Sequence, residues 1–408
     1  MAPLAFADFR KLFAARAISV AGSTLTPVAL GLGVLQATGS TTDLGIVLAA
    51  ATIPTVAVLL VGGVLADRMS RKLLMVLANA TCGVAQLALG AMLVADRFSL
   101  WWAVALQVVI GFGQAFYFPA STGLTVQTVP AAALQQANAL LSLVSSVAGS
   151  LGPLAAGGLV LSVGAGWALV ADGCSYLVSA LCLSALRRTT VATPGGEPFG
   201  RQLVAGFREV TSRSWVWSSI LVFALSHLAV GVLMVLGPTL ALGWAHGIIT
   251  WAAVLGCMSL GQVIGDLWAL RFVPSRPLLA CRLAELLAVP LLPAVALGAS
   301  TPVLLVAAVL FGMSMTFPDA LWFTAMQQHL PATVLSRVSS YDWAGSLALR
   351  PVGLLGAAGL AGLVGIPTAL FTVAALLVVT RVAGLLVKDV RSLRSVAGPP
   401  SVSDAATA

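Results

Sequence analysis

The chain has 408 residues, 59% of them hydrophobic and 8% charged, with a formal net charge of +8 and a mean hydropathy of +1.03. A soluble domain carries about 25% charged residues, so a water-soluble globule is excluded: a chain of this length would lack the polar side chains to cover its surface. The basic residues are spread through short loops and gather on no continuous face, which excludes a nucleic-acid partner.

A membrane-crossing helix needs about 20 mostly apolar residues. Arg10, Lys11 and Arg16 precede the first apolar run, which continues as a full-length span, unlike a cleavable signal. In chain order the predicted spans are one 15–37, two 43–65, three 73–94, four 100–120, five 138–163 and six 166–186. The second set is seven 216–241, eight 248–270, nine 277–298, ten 302–324, eleven 340–364 and twelve 367–387. Between the sets, Thr193-Pro-Gly-Gly-Glu-Pro198 reads as a flexible piece. An amphipathic stretch follows, with Leu203, Val204, Phe207 and Val210 on one helical face and Arg201, Arg208 and Arg213 nearer the other. Such a helix is expected to lie on the inner membrane surface. The tail, 390–408, is rich in Ser, Ala and Pro and is expected to be disordered.

Loop charges orient the chain. Arg10 and Lys11, then Arg68, Arg71 and Lys72, then Arg187, Arg188, Arg201, Arg208 and Arg213 alternate with loops holding little beyond Arg97. Arg271, Arg276, Arg337, Lys388, Arg391 and Arg394 continue the pattern, which places both termini in the cytoplasm. Trp101, Trp102, Trp167, Trp244 and Trp251 fall at predicted outer ends. Trp215, Trp217, Trp268, Trp322 and Trp343 fall at predicted inner ends, where indoles favour the headgroup level. Cys82, Cys174, Cys182, Cys257 and Cys281 all lie in apolar stretches, without metal-ligand spacing, and read as small apolar residues. No metal and no cofactor is expected.

The two halves resemble each other at an offset of roughly 200 residues. Gly62, Asp67 and Lys72 match Gly261, Asp266 and Arg271; Gly113, Phe118 and Pro119 match Gly312, Phe317 and Pro318; Pro153 matches Pro351. Parallel repeats of this kind are a transporter plan, with the substrate near the bilayer midplane between the halves.

The stretch Gly62-Gly-Val-Leu-Ala-Asp67-Arg68-Met-Ser-Arg71-Lys72 resembles the loop motif between helices two and three of the major facilitator superfamily, with Ser70 where that motif often has Gly. Gly111-Phe-Gly113-Gln-Ala-Phe-Tyr-Phe-Pro119, Leu134-Gln-Gln-Ala-Asn138, Ala171-Asp172 and Arg337-Val-Ser-Ser-Tyr-Asp342 look like its bacterial efflux branch, which includes macrolide-efflux permeases and enterobactin exporters. Gly149, Gly152, Pro153 and Gly157 resemble the helix-five motif of exporters and antiporters, at looser spacing. Two departures weaken proton antiport: Gln107 stands where drug/proton antiporters often carry Arg, and Ser23 follows Gly22 where many relatives have an acid.

The resemblance implies an all-α integral membrane protein of twelve helices in two pseudo-symmetric six-helix bundles. The corresponding domains are 1–187, a cytoplasmic linker 188–215, 216–389 and the tail 390–408. It also implies that Asp67, Arg68, Arg71 and Lys72, with Asp266 and Arg271, act as a conformational latch on the start of helix eleven. A helix N-terminus carries about half a positive charge and suits the aspartate.

Several side chains are candidates by position. Arg350 falls about 15 Å into span eleven, where a charge is costly unless it faces a cavity or a partner. Asp319 is expected near the inner end of span ten, pairing with Arg271. Asp172 is expected to make interhelical hydrogen bonds, and Glu285 stands one turn from Arg282. Spans one, four, seven and ten should line the cavity, with Ser23, Thr26, Gln107, Gln114, Phe116 and His227 among the lining residues. So few polar groups suit an apolar ligand with a few orienting hydrogen bonds.

The resulting expectation is a monomeric, non-enzymatic secondary transporter. It exports a hydrophobic or amphipathic small molecule across the cytoplasmic membrane, with protons as the coupling ion. An uptake permease for a small metabolite, or a receptor or scaffold that no longer transports, has the same architecture.

Overall fold

The computed structural model describes residues 2–39, 41–187, 199–241, 247–331 and 333–395, and these form helices joined by short turns. Ten helices among the described residues are long and apolar enough to cross a membrane, and twelve if each of two bent helix pairs counts as one span.

Span one comprises Ala7–Ser23 and Thr26–Thr38, with a break at Thr24-Leu25 just ahead of Pro27. Proline favours the first turn of a helix and disfavours the interior, so the ladder restarts there. Spans two, three, four, five and six are Thr41–Arg68, Arg71–Val94, Leu100–Thr125, Leu134–Val163 and Ala165–Ser184. The linker helix is Phe199–Ser212. Spans seven, eight and ten are Ser214–Ala241, Gly247–Arg271 and Thr301–His329. Span nine is broken into Pro277–Glu285, a 3-10 turn at Leu286–Ala288 and Leu291–Ala296, around Pro290 and Pro293. Span eleven is Leu335–Leu347 and Arg350–Val364, with Pro351 in the first turn of the second piece. Span twelve is Ile366–Leu386. Span five bends by 41° at Pro153 and span eleven by 51° near Leu355.

The chain divides into two compact units. Unit one is Met1–Pro130, Val144–Gly206 and Leu330–Tyr341; unit two is Ala131–Leu143, Phe207–His329 and Asp342–Ala408. The first turns of span five therefore belong with the second-half helices, and those of span eleven with the first-half helices. In unit two, Gln135 Nε2 donates to Ala269 O at 2.8 Å and Phe272 O at 2.6 Å, at the carbonyl end of span eight. Asn138 Nδ2 donates to Gln327 Oε1 at 2.8 Å. In unit one, Ser339 donates to Thr122 Oγ1 at 3.1 Å, and a Cβ on Gly63 would overlap Ser340.

Small residues allow the close helix crossings that membrane bundles use. A Cβ on Gly62 would overlap Ala115 O, and one on Gly111 would overlap Ala51 O, so spans two and four cross backbone to backbone. Gly261 against Val309 O and Gly312 against Met258 O do the same for spans eight and ten. Each unit fills the remaining space with aliphatic side chains. Leu30, Val34, Val47, Leu89 and Leu169 centre unit one; Leu233, Leu291, Val295, Phe311 and Leu370 centre unit two.

Some expectations change. Span one starts at Ala7, eight residues before its predicted bound, so Arg16 lies inside the helix. Trp322 is 1% exposed and donates to Asp342 Oδ2 at 3.0 Å, and buried Trp215 meets it edge to face, so these two indoles are core residues and not headgroup anchors. Trp101, Trp102, Trp167, Trp217 and Trp268 are exposed. The linker helix turns Leu203, Gly206 and Val210 inward and leaves Val204 and Phe207 exposed beside Arg201 and Arg208. It is pinned where Tyr341 donates to Leu203 O at 3.0 Å. The tail forms a short helix, Lys388–Ser392, before 396–408, which lie outside the described residues, as do 188–198 with the whole of the flexible linker piece. Cys82 and Cys281 are buried, whereas Cys174 is exposed.

Candidate functional site

A cavity of about 190 Å³ opens inside unit one, its mostly apolar wall carrying several polar side chains. Span one contributes Arg16, Ser19, Val20 and Ser23; span three Asn79 and Cys82; span four Gln114, Tyr117 and Phe118; span six Tyr176. Arg16, Ser19 and Ser23 recur at helical spacing on one face of span one. Arg16 stands nine residues into its helix, about 14 Å from the start. Its guanidinium carbon lies 5.7 Å from the centre of the Tyr117 ring. Ser19 and Ser23 donate back to Arg16 O and Val20 O of their own helix.

Asp172 lies next to this cavity and is 1% exposed. Its Oδ2 accepts from Thr26 Oγ1 at 2.6 Å and from Gln86 Nε2 at 2.9 Å. Ser175 Oγ lies 3.4 Å from Oδ1. Three helices are thereby tied to one carboxylate, the satisfaction that a buried charge requires. Thr26, expected in the substrate cavity, serves this cluster. Phe116 faces away: it lines a separate apolar groove with Leu65, Leu77, Val109 and Phe112. Gln107 is also outside the cavity, 3% exposed, and its Nε2 has no hydrogen-bond partner among the described residues.

The second set of polar groups lies within unit two. Gly231 sits against Arg350 O and Leu354 N, and Gly353 against Leu228 O. This backbone contact of spans seven and eleven brings Arg350 close enough to act electrostatically on His227, whose Nδ1 is 3.0 Å from Phe223 O. Arg350 is exposed and makes no ion pair or side-chain hydrogen bond among the described residues. Deeper, Arg282 Nη1 and Glu285 Oε2 lie 3.0 Å apart as an ion pair, both nearly inaccessible. Arg381 of span twelve, 0% exposed, donates from Nη2 to Ser226 Oγ at 2.6 Å.

Asp319 does not pair with Arg271. Span ten runs five residues past its predicted end, so Asp319 stands ten residues, about 15 Å, before its last residue, while Arg271 closes the helix of span eight. The carboxyl of Asp319 is exposed and has no hydrogen bond or ion pair among the described residues. The charges acting on it are the carboxyls of Asp342, Asp266 and Glu285.

Around the loop motif, Ser70 caps span three by accepting from Leu73 N at 3.4 Å. Arg71 is buried over Gly123 and donates to its carbonyl at 3.0 Å. Lys72 Nζ donates to Leu186 O and Lys11 Nζ to Ala185 O, so two ammonium groups cap the carbonyl end of span six, where a cation is favoured. Asp266 is fully buried and Arg271 exposed. The side chains of Asp67 and Arg68 lie outside the described residues. In the helix-five motif, Gly152 sits against Thr24 at the break in span one; a Cβ on Gly149 or Gly157 would meet nothing.

Sequence reasoning missed Arg16 and Arg381 as interior residues. Arg16 was legible in principle: Asp8 and Phe9 open a helix that carries Arg16 inward by two and a half turns. Arg381 sits in a run of aliphatic residues with no acidic neighbour in sequence, and its partner Ser226 is 155 residues away.

Residues 12–353 match the family model described as Major Facilitator Superfamily. The chain is 27% identical over 407 residues to the enterobactin exporter EntS of Citrobacter koseri, covering 98% of this chain and 95% of that one. Among solved structures it resembles a bacterial homologue of the iron transporter ferroportin in an outward-facing state, with a TM-score of 0.77, 16% identity and coverage of 93% and 98%. It also resembles the human organic anion transporter MFSD10, with a TM-score of 0.73, 18% identity and coverage of 92% and 98%. At these identities the two structures speak for the fold.

Proposed function

The chain belongs to the Major Facilitator Superfamily of membrane transporters, and from that premise we propose that it exports an amphipathic small molecule across the cytoplasmic membrane, with both termini cytoplasmic. The observation that supports export is the likeness, over nearly the whole of both chains, to an exporter. The cavity among spans one, three, four and six supplies a place for the polar end of such a molecule. The basic loops favour the orientation. Accumulation assays test the direction: cells expressing the chain should hold less of an exported dye or natural product than cells without it, and higher accumulation would make it an uptake permease.

Alternating access needs an element that holds one state and releases it. Gly63 seats the inner end of span two against Ser336 O and Ser340 at the start of span eleven. Asp67 follows one helical turn later, and the exposed N–H groups of a helix start suit a carboxylate. We read this contact as the latch. Asp67→Asn should express normally and lose most transport; wild-type transport by that variant would sink the reading.

For coupling, Asp319 is the carboxyl we assign to the proton. It is accessible, carries no partner among the described residues and stands among three other acids. Asp319→Asn should abolish proton-driven accumulation in proteoliposomes while leaving substrate exchange intact. Loss of both together would place Asp319 in substrate binding instead.

A further inference from the structure

The cavity in unit one holds an unusual balance of hydrogen-bonding groups. A guanidinium has five N–H donors and no acceptor. Arg16 donates none of them to the protein among the described residues, and its Nε is wholly buried. No carboxylate among the described residues pairs with it. Asp172, beside the cavity, is held by Thr26, Gln86 and Ser175, and Arg16 is not among the groups that act on it. The hydroxyls of Ser19 and Ser23 are spent as donors on their own helix. The cavity therefore presents a fixed cation and aromatic walls, Tyr117, Phe118 and Tyr176, and lacks an anionic acceptor.

A charge at this depth is costly when unpaired. A planar carboxylate offers two oxygens that a guanidinium bonds in a fork. Size narrows the ligand further. An apolar cavity of roughly 150 Å³ takes up benzene, so about 190 Å³ suits one substituted aromatic ring. The ring would stack beside Tyr117, whose face already lies under the Arg16 guanidinium.

We propose that this cavity is a subsite for an aromatic acid: the carboxylate of the transported molecule meets Arg16 and its ring packs beside Tyr117. The proposal rests on the export reading and names the chemistry of one end of its substrate. It assigns Arg16 a binding role in place of the topological role that its position before the apolar run suggests.

Salicylate and its uncharged amide, salicylamide, are the probes, with binding measured on the purified full-length protein in lipid nanodiscs. Wild type should bind salicylate about tenfold or more tightly than salicylamide, the range of a hydrogen bond to a charged group. Arg16→Gln should abolish that preference, weakening salicylate far more than salicylamide. Arg16→Lys, which keeps the charge but loses the fork, should retain part of it. Tyr117→Ala should weaken both probes alike. Equal affinity of wild type for the two probes, no salicylate binding to wild type, or a full preference in Arg16→Gln overturns the proposal. Should Arg16→Gln fail to fold, the wild-type comparison and Arg16→Lys decide it. A parallel arm measures efflux of an uncharged amphipathic dye from cells. Efflux without anion preference removes the subsite alone; anion preference without efflux of any compound, including salicylate, removes the export reading alone.

Discussion

Arg282 and Arg381 are both buried, and Glu285 is the carboxylate that acts on the second and pairs with the first. Breaking a buried pair by removing one partner costs about 3–5 kcal/mol, because a charge is left uncompensated, whereas replacing both partners by apolar groups of similar volume is often near neutral. Glu285→Gln should therefore destabilise unit two strongly, leaving two guanidiniums without an anion. The pair of changes Arg282→Met and Glu285→Leu should cost less than Glu285→Gln alone. Thermal unfolding of the purified variants in one detergent checks the order, and a double variant less stable than the single one would refute it. At this scale the sequence was partly legible. Glu285 and Arg282 stand three residues apart, so their contact follows from helical spacing. Arg381 and Arg16 did not declare themselves, because a lone Arg reads alike as a loop charge, a snorkelling residue or a cavity ligand. Only the helix start at Ala7 and the nearness of Ser226 separate these roles.

Spans two and four, and spans eight and ten, approach through glycine in both halves, yet not in the same register. Gly62 meets Ala115 while its repeat counterpart Gly261 meets Val309; Gly113 packs on Cys82 whereas Gly312 packs on Met258. The repeat in the sequence thus located the close-packed helices but not which turn touches which. That detail depends on side-chain volumes across each crossing, which a single chain pattern does not encode. Because the neighbour of Gly62 and of Gly261 is backbone, it has little room to yield. Gly62→Ala and Gly261→Ala should each lower stability by about 1–3 kcal/mol through overpacking. Gly157→Ala, where a Cβ meets nothing, should be neutral or gain a few tenths of a kcal/mol from helix propensity. Expression level and unfolding midpoint measured side by side would settle it; equal gains at Gly62 and Gly157 would mean that propensity, not packing, sets the response. The bends follow the same logic of local cause: Pro153 and Pro351 were visible as breakers, and the bends fall at or just after them.

The division of the chain into compact units does not follow the division into repeats. Unit one keeps Leu330–Tyr341 from the second half, and unit two keeps Ala131–Leu143 from the first. Loop charges and hydropathy give the number of spans and an expected direction, but they carry no information on which helix start docks with which bundle. That is decided by contacts such as Ser339 with Thr122, and Asn138 with Thr324 and Gln327. One consequence concerns the connection between the halves. If each unit is completed by a piece of the opposite half, the covalent link at 188–198 is not what keeps the halves together. A protease site placed in Thr193–Pro198 should, after cleavage, yield two fragments that elute as one species in mild detergent. The fragments should part more readily in a variant carrying Asn138→Leu with Gln135→Leu, since these changes remove the donors to Gln327, Thr324, Ala269 and Phe272. Buried hydrogen bonds of this kind are worth about 1 kcal/mol each, and the carbonyls left behind cost more, so the effect should be visible as earlier dissociation on warming. Fragments that separate as soon as the linker is cut would show that the exchanged helix starts contribute little to cohesion, and the latch assigned to the start of span eleven would lose its structural basis as well.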